Sequence, residues 1–408
     1  MSQPLNLMTP EVRANPYPLY AELRRGPVCQ VEPGGMWAVS RYDDVVTVLK
    51  DPRRFSSAGL GRSFRPPWLE RNPTADSLVM KDPPEHTRLR ALVSRTFNGA
   101  ALSRLEPSIR AIAEELADAA VRRQEVDFIA ELALPLPARV LNLFFGLEPA
   151  MAPRLKHWAD DLVSIPASQP SPERQEEIRH SLQEMERCFN ALIEQRRAWP
   201  GEDLVSELLR GELTHEEVLS FLFGLVPAGV ETTVYLLANT MVVLSEHPRE
   251  LERVRENPAL IPRLIEEVLR FEPPGQSSLR LTTEDVELSG VTIPRGSLVV
   301  ALVGAAMRDE SRFPQADRFL LDRDSPSNLA FGHGPHYCLG AMLARLEARL
   351  GLEALFSRIR GFSLQRKELD WSRSIIARGP RALPLRLEPS SLIASLENTS
   401  AGAPVRSA

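Results

Sequence analysis

Phe331-Gly332-His333-Gly334-Pro335-His336-Tyr337-Cys338-Leu339-Gly340 is the stretch on which the reading of this chain turns. Its glycines and proline set a tight loop, and the apolar periodicity of Ala341–Phe356 begins directly after it, so Cys338 stands at a helix N-terminus. There the helix dipole and the free backbone N–H groups favour a thiolate, which is how a protein holds an anionic sulfur ligand. A lone cysteine is otherwise most often a small buried hydrophobe, and Cys29 and Cys188 are read that way. His333, His336 and Cys338 also invite a zinc reading, but a structural zinc site takes four ligands and no matching motif surrounds the other cysteines.

Around this loop the composition is that of an ordinary globular chain. The 408 residues hold 49 basic and 54 acidic side chains, a net charge of −5, with 43% hydrophobic residues. So long a chain buries a large core without disulfide or metal staples. The mildly acidic balance and the lack of any Lys/Arg run argue against a nucleic-acid or anionic-membrane binder. Three cysteines, distant and odd in number, fit a reducing cytoplasm. The first twelve residues show neither a basic nor an apolar run, so no signal peptide is expected, and nothing approaches the roughly 18 uncharged apolar residues of a membrane span. The 35 prolines and 22 glycines fall singly between periodic segments. This predicts one compact unit over residues 1–389, and the Ser/Ala/Gly/Pro-rich stretch 390–408 is expected as a disordered tail.

Helical periodicity covers Ile109–Arg123, Arg139–Phe145, Glu173–Arg197, Thr214–Glu246, Ile261–Phe271 and Ala341–Phe356. Val28–Val31 and Met36–Ser40 flank a Pro33-Gly34-Gly35 turn and read as a hairpin, and Leu279–Val303 holds strand-like runs broken at Ser289-Gly290 and Pro294-Arg295-Gly296. The fold class is mainly α with a minor β region. Thr214 with Glu217 forms a capping-box pattern, opening a helix of about 48 Å if it is continuous. Midway along it lie Pro227-Ala228-Gly229 and then Glu231-Thr232-Thr233. An apolar spine that opens at a proline and presents an acid and hydroxyls has the look of a site; the plainer alternative is a kink with Glu231 at the surface.

A single thiolate at such a loop suits haem iron. The sequence resembles the bacterial cytochrome P450 family: Phe331, Gly334, Cys338 and Gly340 match its F-x-x-G-x-x-x-C-x-G signature, and other landmarks follow in order over nearly the whole chain. The resemblance implies the triangular helical fold around haem b, with Cys338 as the iron ligand. It implies that His86, Arg90, Arg280 and His336 hold the haem carboxylates, and that Phe331, Gly332, Gly340 and Ala344 border the cofactor. Buried carboxylates need such partners. Glu267 and Arg270 match E-x-x-R, a structural pair that the resemblance completes with Arg318. Glu231 and Thr232 resemble the acid and alcohol that deliver protons to bound dioxygen.

The implied activity is insertion of one oxygen atom into a C–H bond of a lipophilic molecule such as a fatty acid, terpenoid, steroid or polyketide. By family position the pocket is expected to take Leu78, Val79, Leu162, Leu225, Ala228, Gly229, Gln276, Ser277, Ser278, Leu279, Ile375 and Ile376, each of which taken singly is equally well plain core. Electrons from NAD(P)H are expected through a separate ferredoxin or flavodoxin and its reductase, docking on a basic patch of Arg88, Arg95, Arg345 and Arg349, with the protein a cytoplasmic monomer. The acid–alcohol pair favours dioxygen over a peroxide-driven peroxygenase, and a haem-based sensor would require an output domain, which the short tail is not expected to supply. Pro227, Asn328, Met307 and Glu310 depart from the family pattern without touching the iron position.

Overall fold

The computed structural model describes residues 5–165, 170–324 and 328–390, so the expected tail lies, beyond Ser390, outside the described residues. The helices that build its bundle are α1 (Glu85–Val93), α2 (Gly99–Arg123), α3 (Pro135–Phe145), α4 (Ala152–Ser164), α5 (Pro172–Ala198), α6 (His215–Glu246), α7 (Ile261–Phe271) and α8 (Ala341–Phe356). The last two coincide with the periodic segments read from sequence. Helix α2 begins ten residues before the periodicity does, capped by the Asn98 side chain, because Pro107 interrupts the apolar pattern without ending the helix.

Helix α6 is the spine. The Thr214 hydroxyl accepts from the Glu217 N–H at 3.2 Å, and the Glu217 carboxylate accepts from the Thr214 N–H at 2.9 Å, so the capping box is complete. The helix then runs 32 residues, straight through Pro227. A proline there removes one backbone bond, but Phe223, Val226 and Val230 are buried on the same stretch, and packing outweighs one missing bond. The helix is apolar and long enough to cross a membrane, yet it is largely buried inside the bundle, where it serves as core.

A five-stranded sheet flanks the bundle: β1 (Val28–Val31), β2 (Met36–Val39), β3 (Phe55–Ser56), β4 (Ser278–Thr282) and β5 (Leu298–Ala301), in the order β1-β2-β5-β4-β3. The β1–β2 hairpin pairs Val28 with Val39 and Val31 with Met36, ending one residue short of the expected Ser40. Ser289 and Gly290 both take positive φ and close a small hairpin of Val286–Leu288 with Val291–Ile293. The largest buried cluster joins α2, α3, α5, α6, α7 and α8; a second lies between the sheet and Phe313. Between α6 and the loop that leads into α8 the core opens into a cavity.

Candidate active site

The loop before α8 is held by backbone geometry that few residues satisfy. Gly332 and Gly334 have φ of +75° and +71°, and a Cβ on Gly334 would meet the Leu49 carbonyl oxygen at 2.8 Å. The Cys338 N–H donates to the Phe331 carbonyl at 2.8 Å, closing the loop on itself. Arg345 of α8 lies with its guanidinium 4.3 Å from the Phe331 ring centroid and donates to Glu266 of α7 at 2.5 and 3.1 Å. Asn328 donates to the Glu266 carbonyl at 3.2 Å, and the Met307 sulfur accepts from the Leu329 N–H at 3.2 Å. Two departures from the family pattern are therefore braces of the loop.

Behind it, Arg270 makes two 2.8 Å bonds to Glu267, and also donates to the carbonyls of Met307, Ala316 and Arg318. The third member of this buried group is Arg323, not the expected Arg318. The Arg323 Nε donates to Glu267 Oε1 at 3.2 Å from a side chain 7% exposed, whereas the Arg318 guanidinium turns to Gln315 at the surface. Four residues of loop separate the two arginines, and spacing alone could not choose between them.

The cavity is a space of about 1360 Å³, open solvent included. One wall is α6, through Gly224, Leu225, Ala228, Gly229, Thr232 and Thr233; the facing wall is Phe331, Cys338, Leu339, Gly340, Leu343, Ala344 and Glu347. Its lining is mostly apolar. His86, Arg90 and His336 form a polar end, where the two imidazoles lie 4.2 Å apart between centroids. Both ring nitrogens of His86 and the Nε2 of His336 are buried with no hydrogen-bond partner. Burial, then Arg280, His86 and Arg90, pushes His336 down to about 3; burial, then Arg90, lowers His86. Burial likewise brings Arg280 down to about 10. Three imidazole nitrogens without partners, beside Arg90 and with Arg280 behind, suit an anion.

Cys338 faces this space from the loop. Burial is the largest influence and raises its thiol, against the Gly340 N–H and the charges of Arg90 and Arg345, which lower it. A coordinated metal would deprotonate it outright. A Cβ built on Gly340 would meet nothing within 4 Å, so the wall there stands back from any side chain. An apolar slot bordered by a thiol and ending in unpartnered imidazole nitrogens beside Arg90 fits a haem with its two carboxylates at the polar end.

Of the expected pocket residues, Leu78, Val79, Leu225, Ala228 and Gly229 stand in the wall; seven are seated elsewhere. Leu162 is fully buried in the bundle core. Gln276 accepts from Tyr20 and donates to the Pro273 carbonyl, Ser277 donates to the Ile375 carbonyl, and Ser278 accepts from Arg280. Leu279 and Ile375 pack on the N-terminal cluster, and Ile376 is exposed. Their places are taken by Phe97, Leu141, Phe144, Phe221 and Leu236, which carry no local motif and come together only through helix packing. Gly332 and Arg280 stand behind the wall and not in it. Glu231 also lies off the cavity: its carboxylate accepts from Tyr235 at 3.2 Å, while Thr232 is in the wall with its hydroxyl donating to the Ala228 carbonyl at 3.3 Å.

The expected basic patch is largely neutralised. Arg88 pairs with Glu217, Arg345 with Glu266, and Arg349 with Glu106 and Glu353; Arg95 alone of the four is exposed without an ion pair among the described residues.

A family model described as Cytochrome P450 matches residues 155–370. The 6-deoxyerythronolide B hydroxylase of Saccharopolyspora erythraea is 35% identical over 393 residues, 91% of this chain and 96% of the relative. Among solved structures, cytochrome P450 CYP109Q5 from Chondromyces apiculatus superposes with a TM-score of 0.87 at 40% identity, covering 95% of this chain and 99% of that one. CYP109E1 from Bacillus megaterium, in complex with testosterone, gives a TM-score of 0.82 at 35% identity, covering 93% and 99%.

Proposed function

The chain belongs to the cytochrome P450 family, and on that premise we propose that it hydroxylates a bulky lipophilic molecule of the polyketide or steroid kind, with dioxygen as oxidant. It is an oxygen-incorporating oxidoreductase whose cofactor is cysteine-ligated haem b. Cys338 would ligate the iron, while His86, Arg90 and His336, with Arg280 behind them, would hold the haem carboxylates. When bound, the haem supplies the activation of dioxygen that lets oxygen enter an unactivated C–H bond.

The chain's own residues do the rest. The apolar walls desolvate the substrate and leave few polar groups to orient it. Ala228 and Gly229 leave the α6 wall low beside Thr232, whose hydroxyl relays protons from its position at the cavity surface. Burial raises the Glu231 carboxyl, so it retains a proton into a range where an exposed glutamate has lost it, and by turning from Tyr235 it can deliver that proton toward Thr232. A polyketide or steroid body is supported by the relatives that hydroxylate 6-deoxyerythronolide B or bind testosterone. Electrons come from a separate redox partner. We assign this role to a ferredoxin or flavodoxin docking over the loop face, where Tyr337 and Met342 are exposed and Arg95 is the unpaired cation of the expected patch. A cytoplasmic location is supported by three free cysteines.

The observation that carries this reading is Cys338 facing Thr232 across an apolar cavity that ends in unpartnered imidazoles. The test is the carbon monoxide difference spectrum of the reduced protein beside Cys338→Ser. The red-shifted Soret band of thiolate ligation is expected in the native protein and absent from the variant; its absence from both would overturn the assignment. Substrate-induced spin-state shifts across polyketide, steroid and fatty-acid panels then test the substrate class, and a response confined to fatty acids would count against it.

A further inference from the structure

We propose that Tyr235 is a positioning residue for Glu231, fixing the carboxyl on the flank of α6 that faces α4 and governing when it gives up its proton. The inference rests on Glu231 being the proton-delivering acid. Three observations support it. Tyr235 lies one turn beyond Glu231 on the same helix, and its hydroxyl donates to Glu231 Oε1 at 3.2 Å. The phenol ring is confined on one side, where Gly379 lies so close that a Cβ there would be 2.1 Å from Tyr235 Cδ1. Glu231 is absent from the cavity wall although its neighbour Thr232 is in it, because adjacent helical residues face different sides, and on its own side the i+4 residue Tyr235 is the group that holds its carboxyl.

The groups that face the pair complete the picture. From α4, the Asp160 carboxylate raises Glu231 and the Lys156 ammonium lowers it; these two residues form an exposed ion pair one turn apart, at the solvent edge of the same flank. Arg381 lies near Tyr235 from the loop that contains Gly379. Burial and the neighbouring carboxylates keep the phenol itself protonated, so it acts as a fixed donor and not as an acid. A donor to a carboxylate favours the ionised form, so Tyr235 opposes the burial that raises Glu231. The acid is thus reprotonated from the solvent-facing flank and must turn about its side chain to reach Thr232, with the phenol setting its resting place.

The test uses the ferric holoprotein and four forms: native, Glu231→Gln, Tyr235→Phe and Gly379→Ala, the last displacing the ring while keeping the hydroxyl. Infrared difference spectra identify the protonated Glu231 carboxyl as the band lost in Glu231→Gln. In Tyr235→Phe that band is expected at higher frequency, with its titration midpoint about one pH unit higher. Gly379→Ala is expected to move both in the same direction, and the pH at which product formation per NAD(P)H declines should follow the midpoint. If Tyr235→Phe leaves band and midpoint in place while Glu231→Gln alters coupling, the proposal fails and the acid's role stands. If Glu231→Gln itself leaves coupling and its pH profile unchanged, the acid's role fails, and this proposal with it.

Discussion

Glu347 shows how one side chain can set a pH dependence for the whole protein. It lies on α8 in the cavity wall, fully buried, with one carboxylate oxygen lacking any partner, and burial alone pushes its carboxyl up to about 8. Below the ordinary value of 4.5 the group is neutral folded or unfolded, and it affects stability little. Between 4.5 and about 8 the unfolded chain gives up the proton while the folded protein keeps it, so stability falls as pH rises, by roughly 5 kcal/mol in total. Glu347→Gln removes that slope. Unfolding midpoints measured from pH 5 to 8.5 should show the variant's advantage over the native protein growing with pH; parallel curves would contradict the assignment. Nothing in the sequence marks this residue, because Glu347 sits in a helix where an acid at that spacing is ordinarily a solvated face. Cys338 is the opposite case: its glycines record φ values and close approaches that leave a local trace.

Elements were legible where the chain itself carries their termini. The Thr214–Glu217 box, the segment Ile261–Phe271 and the Ser289-Gly290 turn were each visible as short-range patterns, and the structure keeps them. What failed were assignments that depend on how a long connection folds back. Arg318 and Arg323 are both loop arginines, and only the path of 314–323 decides that Arg323 reaches Glu267. The distinction is measurable. Arg323 also donates to the carbonyls of Pro314, Gln315 and Arg318, so Arg323→Ala strips donors from a buried carboxylate and three carbonyls and should cost about 2–3 kcal/mol. Arg318→Ala removes one surface contact and should stay within about 0.5 kcal/mol. Thermal midpoints of the two holoproteins decide it; equal losses would return Arg318 to the buried group. The pocket misassignments share this origin, since Ser277, Ser278 and Gln276 spend their polar atoms on neighbouring backbone and side chains before any ligand is present.

At the scale of the whole molecule, the cavity is an interruption of the core. Helices α6, α7 and α8 belong to one buried cluster, yet between α6 and the loop before α8 the packing gives way to a space walled by Leu225, Ala228, Leu236, Leu343 and Ala344. At its end His86 and His336 keep unpartnered nitrogens, and Arg280 is buried at the expense of its charge. A group seated in this space would make contacts with the apolar walls and accept from the unpartnered donors. A group that binds the folded state alone adds to its stability by mass action. Removal of haem should therefore lower the unfolding midpoint, and the loss should be smaller in Arg280→Ala, which holds the carboxylates less well. Calorimetry of apoprotein and holoprotein, native and variant, measures all four midpoints. If haem removal left the native midpoint unchanged, the cavity and its orphaned donors would be self-sufficient, and the assignment of the polar end to the haem carboxylates would fall.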